Sequence, residues 1–79
     1  MTNEDILNRV IELFATMSEA EEITEDSELI DDLEISSMDV LFLISSMEAE
    51  FDIKVPEKAI RKMVTVGEVA EVIYGLVNP

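Results

Sequence analysis

Cysteine, histidine and tryptophan are all missing from this 79-residue chain, and the first two absences each close off a chemistry. Without cysteine there is no disulfide, no zinc–thiolate site and no thiol nucleophile, a composition that suits a reducing compartment. Without histidine the chain lacks the side chain that most often serves as a general base near neutral pH. Positive charge is scarce too: five lysines and arginines face 19 acids, for a formal net charge of −14. Such a field repels nucleic acid and anionic membranes. No segment reaches the roughly 18 consecutive apolar residues that a membrane span needs. The opening Met1-Thr2-Asn3-Glu4-Asp5 also lacks the basic region of a signal peptide. A soluble cytoplasmic protein is expected. With two glycines and two prolines, the chain shows no flexible linker, low-complexity tract or internal repeat. Its length suits one small domain, residues 1–79.

What is present is a lopsided charge and an ample apolar fraction. Residues 1–53 hold sixteen acids and a single base, Arg9, whereas residues 54–79 hold three acids and four bases. Acids can simply keep a small apolar domain soluble. Their concentration in one part of the chain also steers basic protein surfaces toward it. Hydrophobic residues make up 48% of the chain, enough to bury a core.

Ile6, Val10, Leu13, Phe14 and Met17 recur at helical spacing, which predicts a helix from residue 3 to about 17. Thr2 and Asp5 stand at capping-box spacing before it. Ser18 to Glu28 has no periodicity and reads as a loop. Leu29, Ile30 and Leu33 are expected to pin the remainder of that loop to the core. Ser36 and Asp39 match a second capping box, predicting a helix from Ser37 to about Phe51 with Val40, Leu43, Ile44, Met47 and Phe51 on its apolar stripe. Pro56 ends the following break and is expected to start a short helix over Glu57–Lys62. Thr65 and Glu68 open a last helix bearing Val66, Val69, Ile73, Leu76 and Val77 on one face. The fold class expected is all-α, a small four-helix bundle of three longer helices and one short one. Its core would centre on Ile6, Val10, Leu13, Leu43, Ile44, Met47, Phe51, Val69 and Ile73.

The candidate for chemistry is Ser37, in Asp31-Asp32-Leu33-Glu34-Ile35-Ser36-Ser37-Met38-Asp39. A serine before a helix is most often only a cap, and Ser36 accounts for itself that way. The first turn does not need a second serine. The Ser37 hydroxyl would lie exposed at the positive end of the helix dipole, a favourable place for a phosphodiester. Local chemistry leaves both readings open.

A wider pattern resembles the acyl carrier proteins, which read approximately Asp-Leu-Gly-x-Asp-Ser-Leu, then a helix ending in acids and Phe-Asp, then Ile-Pro, then Thr-Val. The counterparts here are Asp32-Leu33, Ser37, Glu48, Glu50, Phe51-Asp52, Val55-Pro56 and Thr65-Val66. They fit without a gap from Ser27 to about Leu76, some two-thirds of the chain; the first helix fits more loosely. The resemblance implies a non-catalytic carrier with 4'-phosphopantetheine, taken from coenzyme A, on Ser37. The arm's thiol would hold acyl intermediates as thioesters for fatty-acid synthesis or a specialised fatty-acid or polyketide-type pathway. It further implies a phosphopantetheinyl transferase and acyl-transferring and chain-elongating enzymes as partners, meeting a carrier expected to be monomeric. Because the chain has no histidine to activate Ser37, the base and metal for attachment must come from the transferase.

Several residues depart from the family pattern. Glu34 replaces its glycine, Ser36 the aspartate before the modified serine, and Met38 the following leucine. Phe42 stands where many members have a glutamate early in the second helix, and Ala49 where a later one falls. Met38, Leu41, Phe42 and Ser45 share a face beside Ser37. Leu41 and Phe42 could widen the core contact, as helix aromatics usually do. Since the opposite stripe already supplies a buried face, they are expected to be partly exposed and to form an apolar docking patch. Asp31, Asp32, Glu34, Asp39, Glu48 and Glu50 would form an acidic surround for lysine or arginine on partners. These acids lack the spacing and glycine of an EF-hand, so no metal site is expected. Ser36 and Glu34 also keep alive a second reading, an unmodified acidic adaptor or subunit acting only through protein contacts. A hydrolase is disfavoured, since no base accompanies the serine.

Overall fold

The computed structural model describes residues 2–18 and 22–78. Met1, Glu19–Glu21 within the expected first loop, and Pro79 lie outside the described residues. The order is α1 (Asn3–Met17), α2 (Ser37–Phe51), α3 (Glu57–Ile60) and α4 (Val66–Val77). The expected all-α four-helix architecture is the one found.

Each long helix is started by the side chain that the sequence places before it. Thr2 Oγ1 accepts from the Asp5 N–H at 3.1 Å, and Asp5 returns a bond from the Thr2 N–H, completing the box on α1. Thr65 and Glu68 do the same for α4. On α2 only half of the expected box forms. Ser36 Oγ accepts from the Asp39 N–H at 3.2 Å, and no reciprocal bond from Asp39 is made among the described residues. That leaves the Asp39 carboxylate outward in the first turn, near the positive end of the dipole. α2 ends at Asp52, which takes the left-handed conformation at φ 54° and donates its N–H to the Glu48 carbonyl.

α3 is shorter than expected, and Pro56 caps it rather than entering its first turn. After Arg61 the bonds tighten: the N–H groups of Lys62 and Met63 reach carbonyls three residues back, at 3.1 Å each. The tighter turn carries Met63 into the core and leaves Lys62 outside.

α1 lies mainly along α4 and touches α2 more briefly. Ile6, Val10 and Phe14, each four residues apart, are fully buried. Leu13, expected in the core, sits on the flank of that stripe and is only partly buried, as is Phe51. Leu43, Ile44, Met47, Val69 and Ile73 are buried as expected, joined by Val66 and Ala70.

The long connection from α1 to α2 is held against the start of α4. The Leu29 N–H donates to the Val64 carbonyl and the Val66 N–H to the Ser27 carbonyl, both at 3.0 Å. Next to that seam the Gly67 N–H reaches the Glu25 carbonyl at 2.8 Å, where a Cβ on Gly67 would stand only 3.0 Å from the same oxygen. Leu29 and Leu33 are buried, as expected of residues pinning the loop. Ile30 is not: it is 61% exposed, and Ile35 takes the third buried place. The reason is the bond from Leu29 to Val64, which fixes Leu29 inward and turns its neighbour out.

Arg9 joins the two ends of the acidic segment. Its guanidinium bonds Glu50 at the end of α2, at 2.6 Å from Nε, and Glu12 on its own helix at 3.0 Å. The hydrogen bond from Arg9 holds the Glu50 carboxyl below its ordinary range. A carboxyl with a lowered folded-state pKa contributes stability above its unfolded pKa and loses it as the pH falls through the folded value. Arg9→Gln is therefore expected to lower the urea midpoint at neutral pH, with the two proteins converging as pH drops below about 4. Urea unfolding followed by circular dichroism across that range checks it; a constant gap down to strong acid would contradict it.

Candidate functional site

The site is built outward from the loop before α2. The Glu28 carbonyl accepts the N–H groups of both Asp32 and Leu33 at 3.0 Å, and the Ile35 N–H reaches the Leu29 carbonyl at 3.0 Å. Asp32 closes the ring, its carboxylate accepting the Glu28 N–H at 2.7 Å. Ser18 Oγ donates to the Leu33 carbonyl at 3.1 Å, tying the end of α1 to the same loop. Leu33 and Ile35 are both buried, and the exposed residue between them turns the chain toward α2. Glu34 does so at φ 54°, the left-handed region that glycine enters without cost.

Ser36 then spends its hydroxyl on the cap, and Ser37 becomes the first residue of α2. Ser37 is exposed, and no hydrogen bond among the described residues engages its hydroxyl. Two adjacent serines thus have separate fates: one starts the helix and the other faces solvent at its positive end.

Ser37 also borders a groove of about 550 Å³. Leu29 and Ile30 of the loop, Val40 and Leu41 of α2, and Ile60, Met63 and Val64 beyond form its apolar lining. Glu28, Asp31 and Arg61 are its charged members. An apolar chain tethered at Ser37 therefore has a lined cleft alongside, and a phosphodiester at the same oxygen would meet the N-terminal end of a 15-residue helix. By this chemistry the residues present fit 4'-phosphopantetheine, a phosphodiester joined to a partly apolar arm.

The α2 face beside Ser37 is open. Met38 is 80%, Leu41 54% and Phe42 67% exposed, so the aromatic does not widen the core contact. Ser45 is exposed on the same helix. Leu43, Ile44 and Met47 account for the buried side. Ile30 and Val64 are also exposed, so five of the six large exposed apolar side chains among the described residues belong to the groove or to this strip. Such a concentration is unlike the scattered apolar residues of an ordinary surface.

The acids separate into two groups. Asp32 is engaged by the Glu28 N–H, Glu48 by the Val55 N–H at 2.8 Å, and Glu50 by Arg9. These three hold the scaffold. Asp31, Glu34 and Asp39 are exposed, and their carboxylates make no hydrogen bond or ion pair among the described residues. No group of acids among the described residues is arranged to hold a metal ion. Sequence reasoning missed the far wall of the groove, Ile60 to Val64 with Arg61. No local signal in the sequence marks it, because the groove's walls come from three separate segments of the chain.

A family model described as a phosphopantetheine attachment site matches residues 4–73. The chain is similar to an acyl carrier protein of Caulobacter vibrioides strain NA1000, 38% identical over 71 residues, 87% of this chain and 91% of the relative. It is similar to an acyl carrier protein of a Picosynechococcus species, 30% identical over 73 residues and 90% of each chain. A third acyl carrier protein, from Clostridium acetobutylicum, is 42% identical over 55 residues, covering 70% of this chain and 71% of the relative.

The kink at Glu34 gives a direct stability test. Relieving a left-handed residue that carries a Cβ is worth roughly 1–2 kcal/mol, reduced by the greater freedom glycine has in the unfolded chain. Glu34→Gly is expected to stabilise the protein by roughly 0.5–1 kcal/mol in urea unfolding. Destabilisation would mean that the Glu34 side chain contributes contacts outweighing its backbone strain.

Proposed function

This chain belongs to the acyl carrier family, defined by its phosphopantetheine attachment site, and we propose that Ser37 is the residue that carries the arm. Members are carriers rather than catalysts, and the covalent 4'-phosphopantetheine supplies the thiol on which acyl groups travel. The single observation that carries the assignment to Ser37 is its place: exposed, with its hydroxyl uncommitted, at the first position of α2 and on the border of an apolar groove. Ser36 is spent on the cap. In the first turn it leaves Ser37 as the free hydroxyl.

The residues around Ser37 divide the remaining work. The helix end favours the phosphodiester, and Val40, Leu41 and Met63 offer apolar surface to whatever the arm holds. No base is supplied from this chain, so the transferase must take the Ser37 proton and provide the metal. Asp31, Glu34 and Asp39 are the acids free to meet lysine or arginine on partners; Asp32 and Glu48 serve the loops that hold them in place. A single exposed ion pair is worth at most about 1 kcal/mol, so the acids act chiefly on encounter rate. Met38, Leu41 and Phe42, with Ser45 farther along the helix, form the surface for close contact with acyl-transferring and chain-elongating enzymes. Burying a side chain of the size of Phe42 contributes about 2 kcal/mol, more than any one of those acids.

The departures at Glu34, Ser36 and Phe42 support a dedicated biosynthetic pathway, of fatty-acid or polyketide type, over general fatty-acid synthesis. The same departures at Glu34 and Ser36 favour, as a second reading, an acidic adaptor that is never modified. Residues 1–79 form one carrier domain in this proposal, acting as a cytoplasmic monomer.

Intact mass measured before and after incubation with coenzyme A and a broad-specificity phosphopantetheinyl transferase tests the assignment. A gain of one phosphopantetheine unit is expected in the parent protein and in Ser36→Ala, and no gain in Ser37→Ala. Loading of folded Ser37→Ala, or none of the folded parent by any transferase including its dedicated one, would contradict it. In the same assay Phe42→Glu is expected to load several-fold more slowly, as truncation of an apolar anchor does; unchanged loading would remove Phe42 from the docking surface.

A further inference from the structure

We propose that Met38 is a site of reversible oxidation that weakens docking at Ser37, an inference that rests on the carrier reading above. The described methionines differ sharply in access. Met47 is fully buried, Met63 is 7% exposed, and Met17 is packed against the core from the end of α1. Met38 is 80% exposed. Oxidation of a thioether follows its access to the oxidant, so Met38 is attacked first among them. The chain has no cysteine to compete for a peroxide.

The chemistry balances with a peroxide as the oxidant. A sulfur lone pair takes one oxygen of hydrogen peroxide; the S–O bond forms, the O–O bond breaks, and water leaves. The sulfur is oxidised by two electrons and the peroxide reduced by two. Two methionine sulfoxide reductases, one for each sulfoxide epimer, reverse the step with a dithiol as reductant, which leaves as a disulfide together with water.

Position gives the change its consequence. Met38 directly follows Ser37 and belongs with Leu41 and Phe42 to the exposed apolar strip of α2. Sulfoxide converts a flexible apolar side chain into a polar one. A partner closing over Ser37 must then strip water from that sulfoxide, which is unfavourable unless it finds a hydrogen bond. Because Met38 lies outside the core, its oxidation leaves the fold in place. The effect therefore separates from unfolding, which oxidation of Met47 or Met63 would cause.

The test treats the unmodified carrier with hydrogen peroxide until about one oxygen is incorporated per chain. Tandem mass spectrometry locates it, with the peptide bearing Met1 read separately. The oxygen is expected on Met38, with the thermal unfolding midpoint unchanged. Loading by the transferase and coenzyme A is expected to slow by about five-fold or more. Treatment with both methionine sulfoxide reductases, one for each sulfoxide epimer, and dithiothreitol is expected to restore the rate. Met38→Leu, compared with itself before and after peroxide, is expected to show no slowing. Oxygen arriving first at Met17, Met47 or Met63, or an oxidised Met38 that loads at the untreated rate, would overturn the proposal. Failure of the untreated protein to load would instead sink the carrier reading and the docking role with it, while the mass data would still decide where oxidation begins.

Discussion

Burial of Leu29, Leu33 and Ile35 is the constraint on which the site depends. Each such side chain contributes roughly 1.5–3 kcal/mol when taken out of water, so the three together outweigh the roughly 1–2 kcal/mol cost of a left-handed residue between two of them. Glu34 is therefore held in a conformation it would not choose alone. The loop cannot relax, because Leu29 is bonded to Val64 and the N–H groups of Asp32 and Leu33 are tied to the Glu28 carbonyl. Ser36 arrives at the one place where its hydroxyl can cap α2, and Ser37 follows into solvent. The position of Ser37 is thus set by buried residues of the preceding loop.

Charge and apolar surface act at different distances around that residue. Sixteen acids in residues 1–53 produce a field that reaches about a Debye length, roughly 8 Å at physiological salt. It can raise encounter rates with a basic surface without holding it. Several of the acids nearest the site are already committed: Asp32 and Glu48 to backbone N–H groups, Glu50 to Arg9. The open strip of Met38, Leu41 and Phe42 is exposed apolar surface beside them. Phe42 is the largest side chain of that strip and is 67% exposed. The four bases of residues 54–79 fall largely around α3, and Arg61 brings positive charge to the groove itself.

Much of this was legible in the chain, and the failures have physical causes. The helices were readable because their apolar stripes repeat every three to four residues and their caps stand at fixed offsets. Leu13 and Phe14 were harder: both fit a helical stripe, and only the line of α4 across α1 makes Phe14 the buried one. The same ambiguity moved a loop contact from Ile30 to Ile35, since a bond to Val64, distant in sequence, decides which face turns inward. Ser36 and Asp39 have the spacing of a capping box, yet only one of its two bonds forms. Partial exposure of Leu41 and Phe42 was an expectation from the apolar stripe opposite them, with core contact the alternative, and both are exposed. The groove was not legible at all. Its walls come from residues 28–31, α2 and residues 60–64, and no local pattern joins them.

The most direct measurement is a pair of amide nitrogen–proton correlation spectra, from the unmodified protein and from protein loaded with the arm bearing a saturated acyl group. If Ser37 carries the arm beside the groove, shifts concentrate at Ser36–Leu41, at Leu29 and Ile30, and at Ile60–Val64, with the α1 residues that face α4 unchanged. Shifts centred on another serine, such as Ser27 or Ser45, or none along the groove, would contradict it.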